Sequence, residues 1–79
     1  MKIMWISING RRVNFDNIIS YDMHTEPTGK DAPYDTLYCL EVEYVNGKVR
    51  YIPLSEELQV ATVSMQYIDT LLDRKIIKL

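Results

Sequence analysis

Cysteine, histidine, tryptophan and phenylalanine occur once each among the 79 residues of this chain, and their scarcity closes off whole classes of chemistry. A lone Cys39 cannot close an intramolecular disulfide, and one cysteine with one histidine cannot furnish the Cys/His set of a structural zinc. The fold must hold without covalent or metal staples, and a reducing, cytoplasmic setting is expected. No apolar run approaches the roughly 18 to 20 residues of a membrane-spanning helix, so a membrane is not expected as a partner. The opening run Met1 to Ile8 is shorter than a signal-peptide core and leads into a turn, so it reads as a strand. Excess positive charge is also missing. Nine basic residues against eleven acidic ones give a formal net charge of −2, the opposite of what neutralising phosphates requires, and nucleic acid is not the expected partner.

What is present suits a small globular protein, with 47% hydrophobic and 25% charged residues in a length that fits one domain over residues 1–79. Two Asn-Gly pairs, Asn9-Gly10 and Asn46-Gly47, each stand between alternating apolar and polar residues and predict two-residue type I′ hairpins. The first pairs Ile8 with Arg11, Ile6 with Val13 and Met4 with Phe15 on a core face, and leaves Trp5, Ser7, Arg12 and Asn14 on the reverse. The second pairs Val45 with Lys48, Tyr44 with Val49 and Val42 with Tyr51, with Glu43 opposite Arg50 on the other face. Between them Ile18 to Met23 reads as a third strand, with Ile19, Tyr21 and Met23 sharing a face. The expected architecture is α+β: an antiparallel five-stranded β-meander (β-β-β-β-β-α) packed by one C-terminal helix.

The segment Thr25 to Asp35 holds two of the three prolines, one of the three glycines and almost no apolar residue, and predicts one long exposed loop. Thr28, Lys30, Asp31 and Tyr34 are its candidate contact residues. Pro53-Leu54-Ser55-Glu56-Glu57 predicts a helix start, with Ser55 as cap, and the helix is expected to run to about Arg74, with Arg74 and Lys75 near its C-terminus. Leu58, Ala61, Met65, Ile68 and Leu72 form one stripe for the sheet. Val60, Val63, Tyr67 and Leu71 form a second apolar stripe centred on another side, and one sheet cannot bury both. Gln59, Thr62, Gln66, Asp69 and Asp73 form a polar face, and Lys75-Ile76-Ile77-Lys78-Leu79 adds more apolar bulk. Either the sheet or the tail wraps far enough to cover the second stripe, or the stripe is an interface, and a two-fold homodimer is its simplest form.

No constellation of nucleophile, base and orienting group assembles from the sequence, and no catalytic residue, metal or cofactor is expected. His24 reads as a surface histidine, and Cys39 as a small hydrophobe with no histidine assignable near it. Glu41 and Glu43 read as a solvated face, answered by Arg50. Thr28-Gly29-Lys30 lacks the earlier glycine, the following Ser/Thr and the helix of a phosphate-binding loop. Trp5 with Arg12 and Asn14, helped by Arg11 and by Lys48 or Arg50, forms an aromatic and basic sheet face that could stack single-stranded bases.

The opening Trp5-Ile6-Ser7-Ile8-Asn9-Gly10-Arg11-Arg12-Val13-Asn14-Phe15-Asp16-Asn17-Ile18, followed by strands and a Ser-Glu-Glu helix, resembles a recurring type of small uncharacterised bacterial and phage protein. More loosely, the layout is similar to the sheet-plus-C-terminal-helix plan of pleckstrin-homology-like domains, though two strands short, and no functional residue transfers from either. The expectation is a non-catalytic protein-binding or regulatory module of bacterial or phage origin, a homodimer through the helix. The alternatives are a phage-encoded, anti-CRISPR-like inhibitor of a host defence enzyme, and single-stranded nucleic-acid binding on the outer sheet face.

Overall fold

The computed structural model describes residues 5–72. Alternation of Ile6, Ile8 and Val13 with polar neighbours builds the first hairpin from β1 (Trp5–Ile8) and β2 (Arg11–Asn14). Asn9 and Gly10 both take positive φ, 50° and 76°, so the turn is the primed type and the register runs from Ile8 opposite Arg11 to Trp5 opposite Asn14, as expected. The expected Met4–Phe15 pair lies outside the described residues. The remaining elements are β3 (Ile18–Pro27), β4 (Thr36–Tyr44), β5 (Val49–Ser55) and α1 (Leu58–Leu72).

The chain is α+β with five antiparallel strands and one helix, but the strands divide into a two-stranded sheet, β1-β2, and a three-stranded sheet in the order β3-β4-β5. One continuous five-stranded meander is not what they form, and the junction after β2 explains why. Asn17, at φ 59°, turns the chain away, its carbonyl accepts the Val45 amide at 2.9 Å, and Ile18 pairs with Tyr44. This delivers β3 to β4 instead of to β2. Side chains make the seam between the sheets. Asn9 Nδ2 donates to the carbonyls of Pro53 and Leu54, both at 2.8 Å, and the Tyr44 hydroxyl donates to the Asn14 carbonyl at 3.0 Å.

Three further expectations are corrected. The second Asn-Gly pair does not make a two-residue turn: only Gly47 has positive φ, 86°, the Gly47 amide donates to the Tyr44 carbonyl, and the Tyr44 amide to the Lys48 carbonyl, each at 2.9 Å. This is a longer turn closed by a left-handed glycine, and it slips the register by one, so that Glu43 faces Val49, Val42 faces Arg50 and Glu41 faces Tyr51. A one-residue slip turns a strand over. Ile52 and Leu54 therefore enter the core, while Val49 and Tyr51 are exposed. In β3, an irregularity between Ile18 and Ser20 sends Ile19 outward, whereas Ile18, Tyr21 and Met23 pack against the core. The predicted loop is shorter, because Thr25, Glu26 and Pro27 extend β3 and Pro27 pairs with Thr36.

Pro53, Leu54 and Ser55 close β5 and do not start the helix as expected: Ser55 Oγ accepts the Glu57 amide at 3.0 Å, the Glu57 carbonyl accepts the Ala61 amide at 3.0 Å, and the helix begins at Leu58. Its buried residues are Ala61, Ile68 and Leu72, with Met65 packed beside them; Leu58 is exposed, so the anchoring begins one turn in. They meet Val13, Phe15, Leu40, Val42 and Ile52 in one core, where each large side chain stabilises the fold by about 1.5–3 kcal/mol relative to exposure. Asp73, Arg74 and the tail 75–79 lie outside the described residues.

Candidate functional site: an apolar surface shared by the helix and the first strand

Helical geometry puts Val63, Tyr67 and Leu71 in one row at four-residue steps, with Val60 one turn below, and burial of Ala61, Ile68 and Leu72 on the sheet directs that row away from the core. The row is exposed: Val60 46%, Val63 58%, Tyr67 58% and Leu71 37%. The stripe is thus not covered by a curled sheet.

The seam between α1 and β1 joins this stripe to a second candidate. Trp5, Ile6, Ser7, Tyr67 and Leu71 line a cleft of about 260 Å³, and Ser7, Ile8, Asn9, Val63, Ser64, Tyr67 and Ile68 line another of about 330 Å³. Tyr67 and Ser7 belong to both, so Tyr67 stands between two clefts along one groove. Trp5, 56% exposed, borders the first of them. The sequence presented Trp5 and the helix stripe as separate features. Their juxtaposition depends on how the helix lies on the first hairpin, and no local pattern encodes that.

Arg12 and Asn14 share the reverse face of the first hairpin with Trp5, opposite Ser7 and Trp5 respectively. Asn14 is occupied locally, its Oδ1 accepting the Asp16 amide at 2.8 Å, and Arg50 donates to the Arg12 carbonyl at 3.4 Å. The loop residues lie elsewhere and are bonded among themselves. Thr28 Oγ1 donates to the Tyr34 carbonyl at 2.6 Å, the Tyr34 amide donates to the Asp31 carbonyl at 3.0 Å, and Lys30 Nζ reaches Glu56 at 2.9 Å. Trp5 therefore comes together with the stripe, Arg12 and Asn14 share its face of the hairpin without lining the clefts, and Thr28, Lys30, Asp31 and Tyr34 lie apart.

The three-stranded sheet also brings ionisable side chains together. The register sets His24 opposite Cys39, a pairing not foreseen from sequence. Burial first, and the Glu26 charge second, push the thiol up from its ordinary value and away from the nucleophilic thiolate. His24 lies 3.4 Å from Glu26 and 3.9 Å from Glu41, with its ring centroid 4.7 Å from that of Tyr51. The Tyr51 phenol is pushed up by its hydrogen bond to Glu41 and then by the same charge. Arg50 does not answer Glu43 as expected; Glu43 accepts from the Ser20 hydroxyl at 3.3 Å. Asp69, expected in water, accepts from the Tyr21 hydroxyl at 2.5 Å beside a cleft of about 680 Å³, and that phenol is driven up by burial and then by this bond. Among the described residues no group of three or more His, Cys, Asp or Glu is placed to hold a metal ion, and no helix is long and apolar enough to cross a membrane. Comparison with protein-family models, with curated proteins and with solved structures yields no match.

Proposed function

We propose that this chain is a non-catalytic protein-binding module that works through the apolar surface formed by Val60, Val63, Tyr67, Leu71 and Trp5, and that its first partner is a second copy of itself. The observation that carries this reading is continuity: Val63, Tyr67 and Leu71 of one helix border the same groove as Trp5, Val60 continues their row one turn along, and all five are exposed. Soluble domains seldom leave such a patch uncovered, and aromatic residues beside clefts are the usual anchors of protein interfaces. A two-fold arrangement needs only one self-complementary patch, with Tyr67 of each copy entering the groove of the other. A reducing cytoplasm of bacterial or phage-infected cells is the setting that a free, buried Cys39 suits.

Molar mass by light scattering over a range of concentrations tests the reading. Wild type is expected at about twice 9.3 kDa. Tyr67→Glu with Leu71→Glu should give a folded monomer. A wild type that stays monomeric at every concentration would sink the dimer.

A further inference from the structure

Among the described residues no element packs on the outer face of the three-stranded sheet. Among the side chains that the strand period sets there are Asp22, His24 and Glu26 from β3, Glu41 and Glu43 from β4, and Val49 and Tyr51 from β5, matched by the pairs Asp22–Glu41, Glu41–Tyr51 and Glu43–Val49, with Cys39 buried opposite His24. Four carboxylates share this face, and among the described residues no lysine or arginine alternates onto it. Arg50 stands on the opposite side of β5, where it donates to the Arg12 carbonyl, and Lys30 is held by Glu56. The chain's net charge is only −2, so the one-signed character of this face is local and not a property of the whole surface.

Like charges directly opposite one another cost stability, as Asp22 and Glu41 must on this ladder. Two exposed apolar side chains, Val49 and Tyr51, lie among them. A field of one sign around exposed apolar groups is the complement of a cationic protein surface, and it repels nucleic acid. The field already acts within the sheet: Glu41 above all, and Glu26 last, raise the Tyr51 phenol, and the Glu26 charge adds to burial in raising the Cys39 thiol.

We propose that the outer face of β3, β4 and β5 docks a lysine- and arginine-rich surface of another protein, with Asp22, Glu26, Glu41 and Glu43 meeting its cations and Tyr51 its apolar contacts. This surface is distinct from the helix groove and does not depend on the dimer.

The test uses nonaarginine as the probe, titrated into labelled full-length chain and followed by amide chemical shifts at low salt. Shifts should concentrate on β3, β4 and β5. Affinity should fall about tenfold or more in Glu26→Gln/Glu41→Gln/Glu43→Gln, but less than twofold in Asp31→Asn/Asp35→Asn/Glu57→Gln, which removes the same charge from exposed positions elsewhere. Equal losses in both triples would mean that only net charge matters and would overturn the site, as would shifts centred off the sheet. If the first triple does not fold by circular dichroism, the wild-type shift map decides between the same two outcomes. Repeating the titration on Tyr67→Glu/Leu71→Glu keeps this proposal separate from the dimer: loss of binding only there would assign the probe to the groove.

Discussion

Each of the two sheets is turned by an Asn-Gly pair, yet they end with opposite surface chemistry. The two-stranded sheet spends both pair residues in positive φ and keeps the register its alternation predicts, and its outward Trp5 joins the helix in an apolar groove. The three-stranded sheet uses only its glycine in positive φ. It slips by one residue and turns Val49 and Tyr51 out among carboxylates. The same dipeptide thus leads to different faces, because the turn length and not the dipeptide decides which side of the next strand is buried. The helix belongs to both sheets, burying Ala61, Ile68 and Leu72 while presenting Val63, Tyr67 and Leu71.

That division of the helix gives the largest expected effect. Ile68→Ala removes a side chain 1% exposed and should destabilise the fold by about 2–4 kcal/mol, through lost burial and the cavity left behind. Tyr67→Ala, one residue away but outward, should change monomer stability by less than about 0.5 kcal/mol while weakening self-association. Chemical denaturation of both variants checks the pair. Similar losses of stability in dilute solution would mean that Tyr67 supports the core, and the contrast between the two helix faces would collapse.

How far these faces were legible follows from which signals are local. The first hairpin, the helix and its buried stripe are written in short-range patterns: a turn dipeptide and repeats at three and four, although the helix begins after Ser55 and not at it. The slip at Asn46-Gly47 was not legible, because the dipeptide serves both a two-residue turn and the second half of a longer one, and the flanking Val45 and Lys48 fit either. The outward turn of Ile19 was hidden likewise, since an extra residue in one strand leaves no mark on an apolar run. The division into two sheets depends on Asn17, whose left-handed φ reads in the sequence only as a turn residue. For the candidate site, the stripe was legible as four residues in excess of what one sheet can cover. Its union with Trp5, and the gathering of Glu26, Glu41 and Tyr51 on one face, required the register.

The two turn asparagines sharpen the comparison with a smaller effect. Asn9 holds φ 50°, a conformation asparagine tolerates better than alanine, and its side chain donates two hydrogen bonds across the seam to β5. Asn9→Ala should cost about 1–3 kcal/mol. Asn46 is outside the positive-φ region and its Oδ1 accepts only the Lys48 amide at 3.0 Å, so Asn46→Ala should cost about 0.5–1 kcal/mol. Thermal melting of the two single variants tests the order. An equal cost would say that the Asn9 bonds add nothing to the seam.

The smallest effect is expected at the far end of the three-stranded sheet, where the loop between β3 and β4 meets the entry to the helix through Lys30 and Glu56 at 2.9 Å. The lysine side chain is 62% exposed, and pairs of this kind are screened by water and salt, so the contact contributes about 0.2–1 kcal/mol at low salt and less as salt rises. The loop's other bonds, from Thr28 to the Tyr34 carbonyl and from Tyr34 to Asp31, are internal to it. Lys30→Ala should therefore shift the midpoint of unfolding slightly at low salt and not at all in high salt, and it should leave both docking surfaces as they are. A loss above about 2 kcal/mol, or one that salt does not erase, would show that the loop packs into the fold. The larger sheet would then carry a stabilising element that the smaller one lacks.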